Sequence, residues 1–173
     1  MATKLQNLDL EIAHFQNCRQ HIPRVNELCQ TTIDRMLELG TLQISTWFEH
    51  AVAYRGGHTV VSLDKGDLLR NNKYSDAKLS TVRTSSRGKL YSAPVTNIFN
   101  KVGTLRVQVY ERIQNRFYYF AIPRSAYKQI PKTSNIDIPF EKDGTPRRKP
   151  KREVKVNWWN YETKSFEDMA NKH

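Results

Sequence analysis

The sequence predicts an α/β (α+β) fold in which a helical N-terminal part precedes a strand-rich remainder. Up to about residue 55 the apolar residues recur at spacings of three and four, the period of one helix face. From Thr59 onward the apolar runs are short, rich in β-branched and aromatic residues, and bounded by turn formers. The chain has 173 residues, of which 38% are hydrophobic and 26% are charged. This length and composition predict one globular domain over residues 1–173.

Three helices are predicted in the first part of the chain. Leu5 to Cys18 forms a weakly amphipathic segment, and the pattern from Ile44 to Val52 predicts a helix that Gly56-Gly57 ends. Between them, one helix before Gly40 is indicated by an apolar stripe at helical spacing, formed by Val25, Leu28, Cys29, Thr32, Ile33, Met36 and Leu37.

The middle of the chain predicts a β-hairpin. Thr59–Leu63 is a β-branched run that favours a strand, and Gly66 allows a tight turn after it. Two further strands, Leu68-Leu69 and Tyr74–Val82, flank Asn71-Asn72. Asparagine tolerates a positive φ better than most residues, so this pair suits a two-residue hairpin loop.

The second half of the chain predicts another hairpin. Leu105–Tyr110 and Phe117–Ile122 alternate like paired strands closed around Gln114-Asn115. A short helix is predicted over Val95–Val102. Trp158-Trp159 make the C-terminal segment too apolar for a disordered tail, so we expect it to pack back on the body.

The composition indicates the cellular compartment that we expect for the protein and the state of its cysteines. No stretch approaches the ~18 apolar residues of a membrane helix, and the N-terminus has no apolar signal-peptide core. We therefore expect no membrane partner and a cytoplasmic protein, encoded by a bacterium or phage. The two cysteines, Cys18 and Cys29, lack the further ligands of a zinc site, and we expect both to be buried free thiols.

The charge indicates a polyanionic partner. Lys and Arg number 28 against 17 Asp and Glu, a formal net charge of +11. Such a surface gains affinity for double-stranded DNA by releasing condensed counterions, although a solvated basic face is the alternative. Two clusters are the expected contacts: a polar loop after the second hairpin strand, and an arm rich in proline and arginine. The predicted DNA-binding residues are Arg83, Arg87, Lys89, Arg147, Arg148, Lys149, Lys151 and Arg152.

The predicted hairpin places three charged side chains on one face of the sheet. If Asn71-Asn72 form the loop, Asp67 lies directly opposite Asp76, with Cβ atoms roughly 4.5–5.5 Å apart. Lys78 lies two residues beyond Asp76 and points to the same face. Opposed carboxylates repel unless a cation lies between them, and Mg²⁺ is commonly held by one or two carboxylates, water and substrate phosphate. Glu49, at the border of its helix's apolar stripe, could turn toward this site.

These residues resemble the PD-(D/E)xK nuclease superfamily. The resemblance rests on the order and spacing of four motifs over about residues 41–122. It implies a restriction-endonuclease-like core, a mixed central β-sheet flanked by helices, between a helical segment at 1–40 and a basic arm and C-terminal extension at 123–173. The motifs are Glu49-His50-Ala51-Val52, Gly56-Gly57-His58-Thr59-Val60, Gly66-Asp67 and Asp76-Ala77-Lys78.

The resemblance also implies roles for the site residues. Asp67 and Asp76 would bind Mg²⁺, for which Mn²⁺ would substitute, helped by the Ala77 carbonyl and with Glu49 as an accessory ligand. Lys78 would position the attacking water. Asp64 is an alternative first acid.

The expected function is a Mg²⁺-dependent, site-specific DNA endonuclease of restriction or homing type. We expect a homodimer, because one compact domain cuts one strand. A non-catalytic sequence-specific DNA-binding protein and a structure-specific nuclease acting on junctions or flaps are the alternatives, and RNA stays open as a substrate.

Overall fold

A six-stranded mixed sheet organises the protein, with helices packed on one face and a smaller sheet on the other. The computed structural model describes residues 4–27, 29–40, 43–84, 91–149 and 156–173. The strand order is β1-β2-β3-β6-β7-β9, in which β3 and β6 are parallel and the other neighbours antiparallel. The strands are β1 (Thr59–Leu63), β2 (Gly66–Arg70), β3 (Lys73–Thr81), β6 (Thr104–Glu111), β7 (Arg116–Ile122) and β9 (Glu162–Thr163).

The smaller sheet has the order β4-β5-β8 and contains β4 (Arg83–Thr84), β5 (Tyr91–Val95) and β8 (Ile136–Phe140). The helix predicted over Val95–Val102 is wrong. Val95 ends β5, and Asn97 then takes a φ of +54°, which a right-handed helix does not allow. Ile98 is buried in the core between the two sheets instead.

The N-terminal part contains four helices in the described residues, not three. The single helix predicted before Gly40 is two helices, because the carbonyl of Cys29 accepts the N–H groups of Thr32 and Ile33 and so begins a new helix. Cys29 is therefore exposed, which corrects the prediction of a buried thiol, whereas Cys18 is buried as predicted. The helices are α1 (Lys4–Arg19), α2 (Pro23–Asn26), α3 (Gln30–Glu38) and α4 (Ile44–Gly56).

Helix α4 ends where the paired glycines predict. Gly57 has a φ of +63°, a left-handed conformation that favours glycine. Gly56 lies so close to the chain at Ala170 that a Cβ there would be 2.2 Å from that carbonyl oxygen. The two glycines thus have different roles, one in ending the helix and one in packing.

The two faces of the main sheet bury separate cores. On one face, Leu68 and Ala77 pack with α1, α4 and the C-terminal helix α6 (Phe166–Asn171). On the other, alternate residues of β6 and β7 pack against the smaller sheet, α5 (Arg124–Tyr127) and a 3-10 helix that contains Trp158 and Trp159. The prediction that the C-terminal segment packs back on the body is confirmed. No helix among the described ranges is long and apolar enough to span a membrane.

Candidate active site

The asparagine hairpin forms in the predicted register. Asn71 and Asn72 have φ of +50° and +62°, the pair of positive values of a type I′ turn. The register pairs Arg70 with Lys73, Leu69 with Tyr74 and Leu68 with Ser75, where the regular pairing of the two strands ends. Asp67 and Asp76 follow this last pair, and their side chains lie close enough to interact directly. The structure therefore brings the two carboxylates together as predicted, while their direct opposition stays a prediction.

Glycine allows β2 and β3 to approach closely at this point. Gly66 lies in β2, and a Cβ added at this position would be only 2.6 Å from the Ser75 carbonyl oxygen. The turn before it is made by Asp64 and Lys65. The tight turn expected from the sequence forms, since Leu63 pairs with Gly66 across Asp64 and Lys65, and Gly66 also permits the close strand contact. Asp64 is exposed in that turn, away from the strand pair that contains Asp67 and Asp76.

Asp76 is a buried carboxylate with two ammonium neighbours. Its side chain is 1% exposed, and its Oδ2 and Oδ1 lie 2.9 Å from Lys78 Nζ and 2.9 Å from Lys101 Nζ, respectively. At this distance each contact is a charge-assisted ion pair between an ammonium group and a carboxylate oxygen. Burial pushes the pKa of Asp76 up, but the attraction of Lys78, assisted by Lys101 and Asp67, outweighs burial and leaves that pKa below its ordinary value.

Lys101 is the site residue that the sequence analysis missed. It follows the second sheet's β5, and two backbone features fix its position. Val102 N–H donates to the Lys65 carbonyl at 3.1 Å, and Gly103 lies so close to Tyr74 that a Cβ would overlap that carbonyl. The signal that could have found it is charge balance, because a buried acidic pair with one lysine calls for a second cation.

Asp67 and Glu49 belong to the same electrostatic cluster. Burial, and then the neighbouring Asp76, raise the pKa of Asp67 to about 6. Burial, and then the charges of Asp67 and Asp76, raise the pKa of Glu49 to about 7. Lys78 and Lys101 only partly offset these effects. The helix α4 therefore brings Glu49 within electrostatic reach of the strand carboxylates, as expected from its place on that helix.

The cluster has the donor chemistry of a hard cation. Within the described ranges no three His, Cys, Asp or Glu side chains gather closely enough to hold a metal ion together. Mg²⁺ does not need three, since one or two carboxylates with water and phosphate suffice. Asp76 and the neighbouring Asp67 offer two such carboxylates, with Lys78 and Lys101 on the Asp76 oxygens in this structure. Ala77, between Asp76 and Lys78, is buried with the helix-face core, and its carbonyl role stays a prediction.

The predicted DNA contacts have different surroundings. Arg83 is exposed on β4, and Lys149 is exposed in the arm. Arg147 instead pairs with Glu141 at 2.8 Å, and Arg148 pairs with Glu162 while its guanidinium carbon lies 4.7 Å from the Trp159 ring centroid. Their charge is thus partly compensated within the protein. The remaining predicted contacts, Arg87, Lys89, Lys151 and Arg152, lie outside the described residues.

Comparison of the chain with family models, with curated proteins and with solved structures returned no match.

Proposed function

We propose that the protein is a Mg²⁺-dependent endonuclease that hydrolyses phosphodiester bonds of double-stranded DNA, as a homodimer with a restriction-endonuclease-like core. The observation that carries the proposal is the proximity of Asp67 and Asp76 on neighbouring strands, with Lys78 Nζ 2.9 Å from Asp76. A purely structural hairpin gains nothing from opposed carboxylates. A site that binds a divalent ion does gain from two neighbouring carboxylates, because both can bind the ion.

The order of elements supports this proposal. Helix α4 carries Glu49, and strands β1, β2 and β3 follow it, with Asp67 on the second and Asp76-Ala77-Lys78 on the third. This is the order of the PD-(D/E)xK core that the sequence resembles. One departure is the connection from β3 to the parallel β6, which contains β4 and β5 where that core has a helix.

The residues have distinct parts in the proposed reaction. Asp67 and Asp76 would hold Mg²⁺, which supplies charge neutralisation and a more acidic bound water when present. Lys78 can orient that water or neutralise charge on the phosphate. Glu49, whose pKa is near 7, can accept a proton from water around neutral pH. The net charge of +11 supplies long-range attraction for DNA.

The test is cleavage of a long mixed DNA with Mg²⁺, with Mn²⁺ and with chelator, followed by sequencing of the fragment ends. We expect discrete ends in either metal and intact DNA in chelator. Lys78→Ala should abolish cleavage and leave DNA binding unchanged, whereas the matched control Lys73→Ala, an exposed lysine on the same strand, should still cut. Undiminished cleavage by Lys78→Ala would remove the assignment.

One observation favours a non-catalytic DNA-binding protein as the second candidate. Both Asp76 oxygens already have a lysine within 2.9 Å, so the buried charge is compensated without any metal. This candidate predicts salt-sensitive DNA binding that is the same in Mg²⁺ and in chelator, and no cutting in either.

A further inference from the structure

A cleft of about 950 Å³ opens at the carboxyl ends of the parallel strands β3 and β6. Its walls begin at Leu79, the residue after Lys78, and continue through Thr84. Arg112, which follows β6 beside β3, also lines it. In sheets with parallel strands this edge is where ligands commonly bind. Along β3 the cleft therefore begins one residue after Lys78 of the candidate active site.

The cleft has the side chains of a phosphate-binding surface. Arg83 and Arg112 lie on different elements of its wall, and neither forms an ion pair with a described carboxylate. Arg83 is near enough to Asp137 to lower that pKa against the larger effect of burial, but does not contact it as an ion pair. Hydroxyl groups complete the polar lining, and among the described residues that line the cleft Glu11 is the single acidic one. Arginines and hydroxyls of this kind bind the backbone of nucleic acids.

The wall on the helix side is held in place before any ligand binds. His14 is 5% exposed, and its Nδ1 accepts a hydrogen bond from Gln108 Nε2 at 2.9 Å. Its Nε2 therefore carries the proton and donates to Thr81 Oγ1 at 3.0 Å. Asn17 donates to Gln108 Oε1 at 2.9 Å. This buried network fastens α1 to the sheet, so the cleft does not depend on a ligand to form.

The first turn of α4 adds a further anion-favouring group. Gln43, Ile44 and Ser45 line the cleft, and the N-cap residue Gln43 makes no side-chain capping hydrogen bond. The first N–H groups of a helix have no partner within the helix. Tyr91, on the opposite side, is half-buried and presents a ring of the kind on which unpaired bases stack.

The size of the cleft limits its occupant. Its volume is that of a small-ligand site, roughly 300–1,000 Å³. A DNA duplex is a larger object, since its major groove alone is about 12 Å wide, and the cleft does not enclose one. From Lys78 to Arg83 the strand extends roughly 17 Å, a span of several nucleotides.

We infer that this cleft binds a short unpaired stretch of the nucleic-acid strand that is cut, with its phosphates on Arg83 and Arg112. The inference rests on the proposed nuclease function and gives it a substrate class: DNA with a single-stranded overhang or flap beside the scissile bond. Fully paired DNA leaves the cleft empty and is the poorer ligand.

The experiment measures binding by fluorescence anisotropy in chelator, so that it needs no catalysis. The full chain is titrated with a blunt duplex and with the same duplex carrying a single-stranded overhang, over a series of NaCl concentrations. We expect tighter binding of the overhang substrate. In Arg83→Ala/Arg112→Ala that preference should fall about tenfold or more, because charged hydrogen bonds to phosphate are lost. The slope of log K against log salt should become shallower by about 1.4, since each single-strand phosphate contact contributes about 0.7.

The matched control is Arg24→Ala/Arg35→Ala, which removes the same charge from α2 and α3 outside the cleft and should leave the preference intact. Equal loss in both double variants, or no loss in the cleft variant, would overturn the inference. Competition by thymidine monophosphate as strong as that of the overhang would also overturn it, because the cleft would then be a free-nucleotide site. Cleavage in Mg²⁺ tests the proposed function separately.

Discussion

Two neighbouring residues of β3 contribute to two opposite kinds of buried polar cluster. Ser75 points to the helix face, where its hydroxyl accepts a hydrogen bond from the buried Arg106 at 3.2 Å. Arg106 also donates to the carbonyls of Met169 and Lys172, so its charge has oxygen partners on several sides. Asp76 points to the other face and meets two lysines and a neighbouring carboxylate.

The two clusters differ in whether each buried charge is fully matched by its neighbours, and this distinguishes a charge that stabilises the fold from one that serves a function. On the helix face, Arg106 joins the sheet to the end of α6 through hydrogen bonds with neutral acceptors. Burial, and then the neighbouring Arg70, lower its pKa to about 10, which still leaves it charged. Around Asp76, burial and the like charges of neighbouring carboxylates raise the pKa values of Asp67 and Glu49 toward neutrality. Such unresolved repulsion is typical of functional sites.

The largest expected effect comes from Asp67. Asp67→Asn should reduce the cleavage rate at least about 10³-fold, or about 4 kcal/mol, because one of two metal-binding carboxylates is lost. The variant should remain folded, since repulsion with Asp76 is relieved. Asp64→Asn, in the exposed turn three residues earlier, is the matched control and should cut normally. A loss of cutting only in Asp64→Asn would assign the first acid to Asp64.

The second effect concerns stability on the opposite face. Arg106→Met should lower the free energy of unfolding by about 2–4 kcal/mol, because the carbonyls of the buried Met169 and of Lys172 lose their donor. Urea denaturation measures the change. Arg116→Met, at an exposed position of β7, should stay within about 0.5 kcal/mol of the unmodified protein. A stable Arg106→Met would contradict the structural role given to that face.

The smallest effect is a pH-dependent stability difference at Glu49. A raised pKa means that its contribution is most favourable below its ordinary pKa of 4.5 and is lost as pH rises through about 7. Glu49→Gln removes that penalty, so in chelator its melting temperature should rise relative to the unmodified protein between about pH 4.5 and pH 8. We expect about 2–4 °C, or about 1 kcal/mol after solvent screening of this half-exposed group.

Three histidines also titrate in this pH range, but their effect on stability is the same in the unmodified protein and in Glu49→Gln and therefore cancels in the difference. Burial lowers the pKa of His14, His21 and His58 to about 4 in both proteins. Glu27→Gln, on the exposed surface of the N-terminal part, is the matched control. A Glu49→Gln difference that is the same at both pH values would show that burial and the neighbouring carboxylates do not raise the pKa of Glu49.

Local patterns predicted the hairpins well and the connections poorly. Asn71-Asn72 and Asn115 took the positive φ that their residue type favours, and the strands on either side formed as expected. The segment over Val95–Val102 became neither a helix nor a strand beyond Val95, which ends β5 and pairs with Ile136 of β8, while a positive φ at Asn97 turns the chain. Cys29 shows the same limit, since its place in an apolar stripe did not reveal that a helix begins there.

Local sequence was enough to bring Asp67 and Asp76 together, because a two-residue turn fixes the register of its strands and side chains alternate between faces. Three features arose only in the folded chain: Lys101 pairs with Asp76, Arg106 is buried on the helix face of the sheet, and a cleft opens at the carboxyl ends of β3 and β6. These depend on backbone contacts between segments distant in the chain, such as Val102 with Lys65, and no local pattern encodes such contacts.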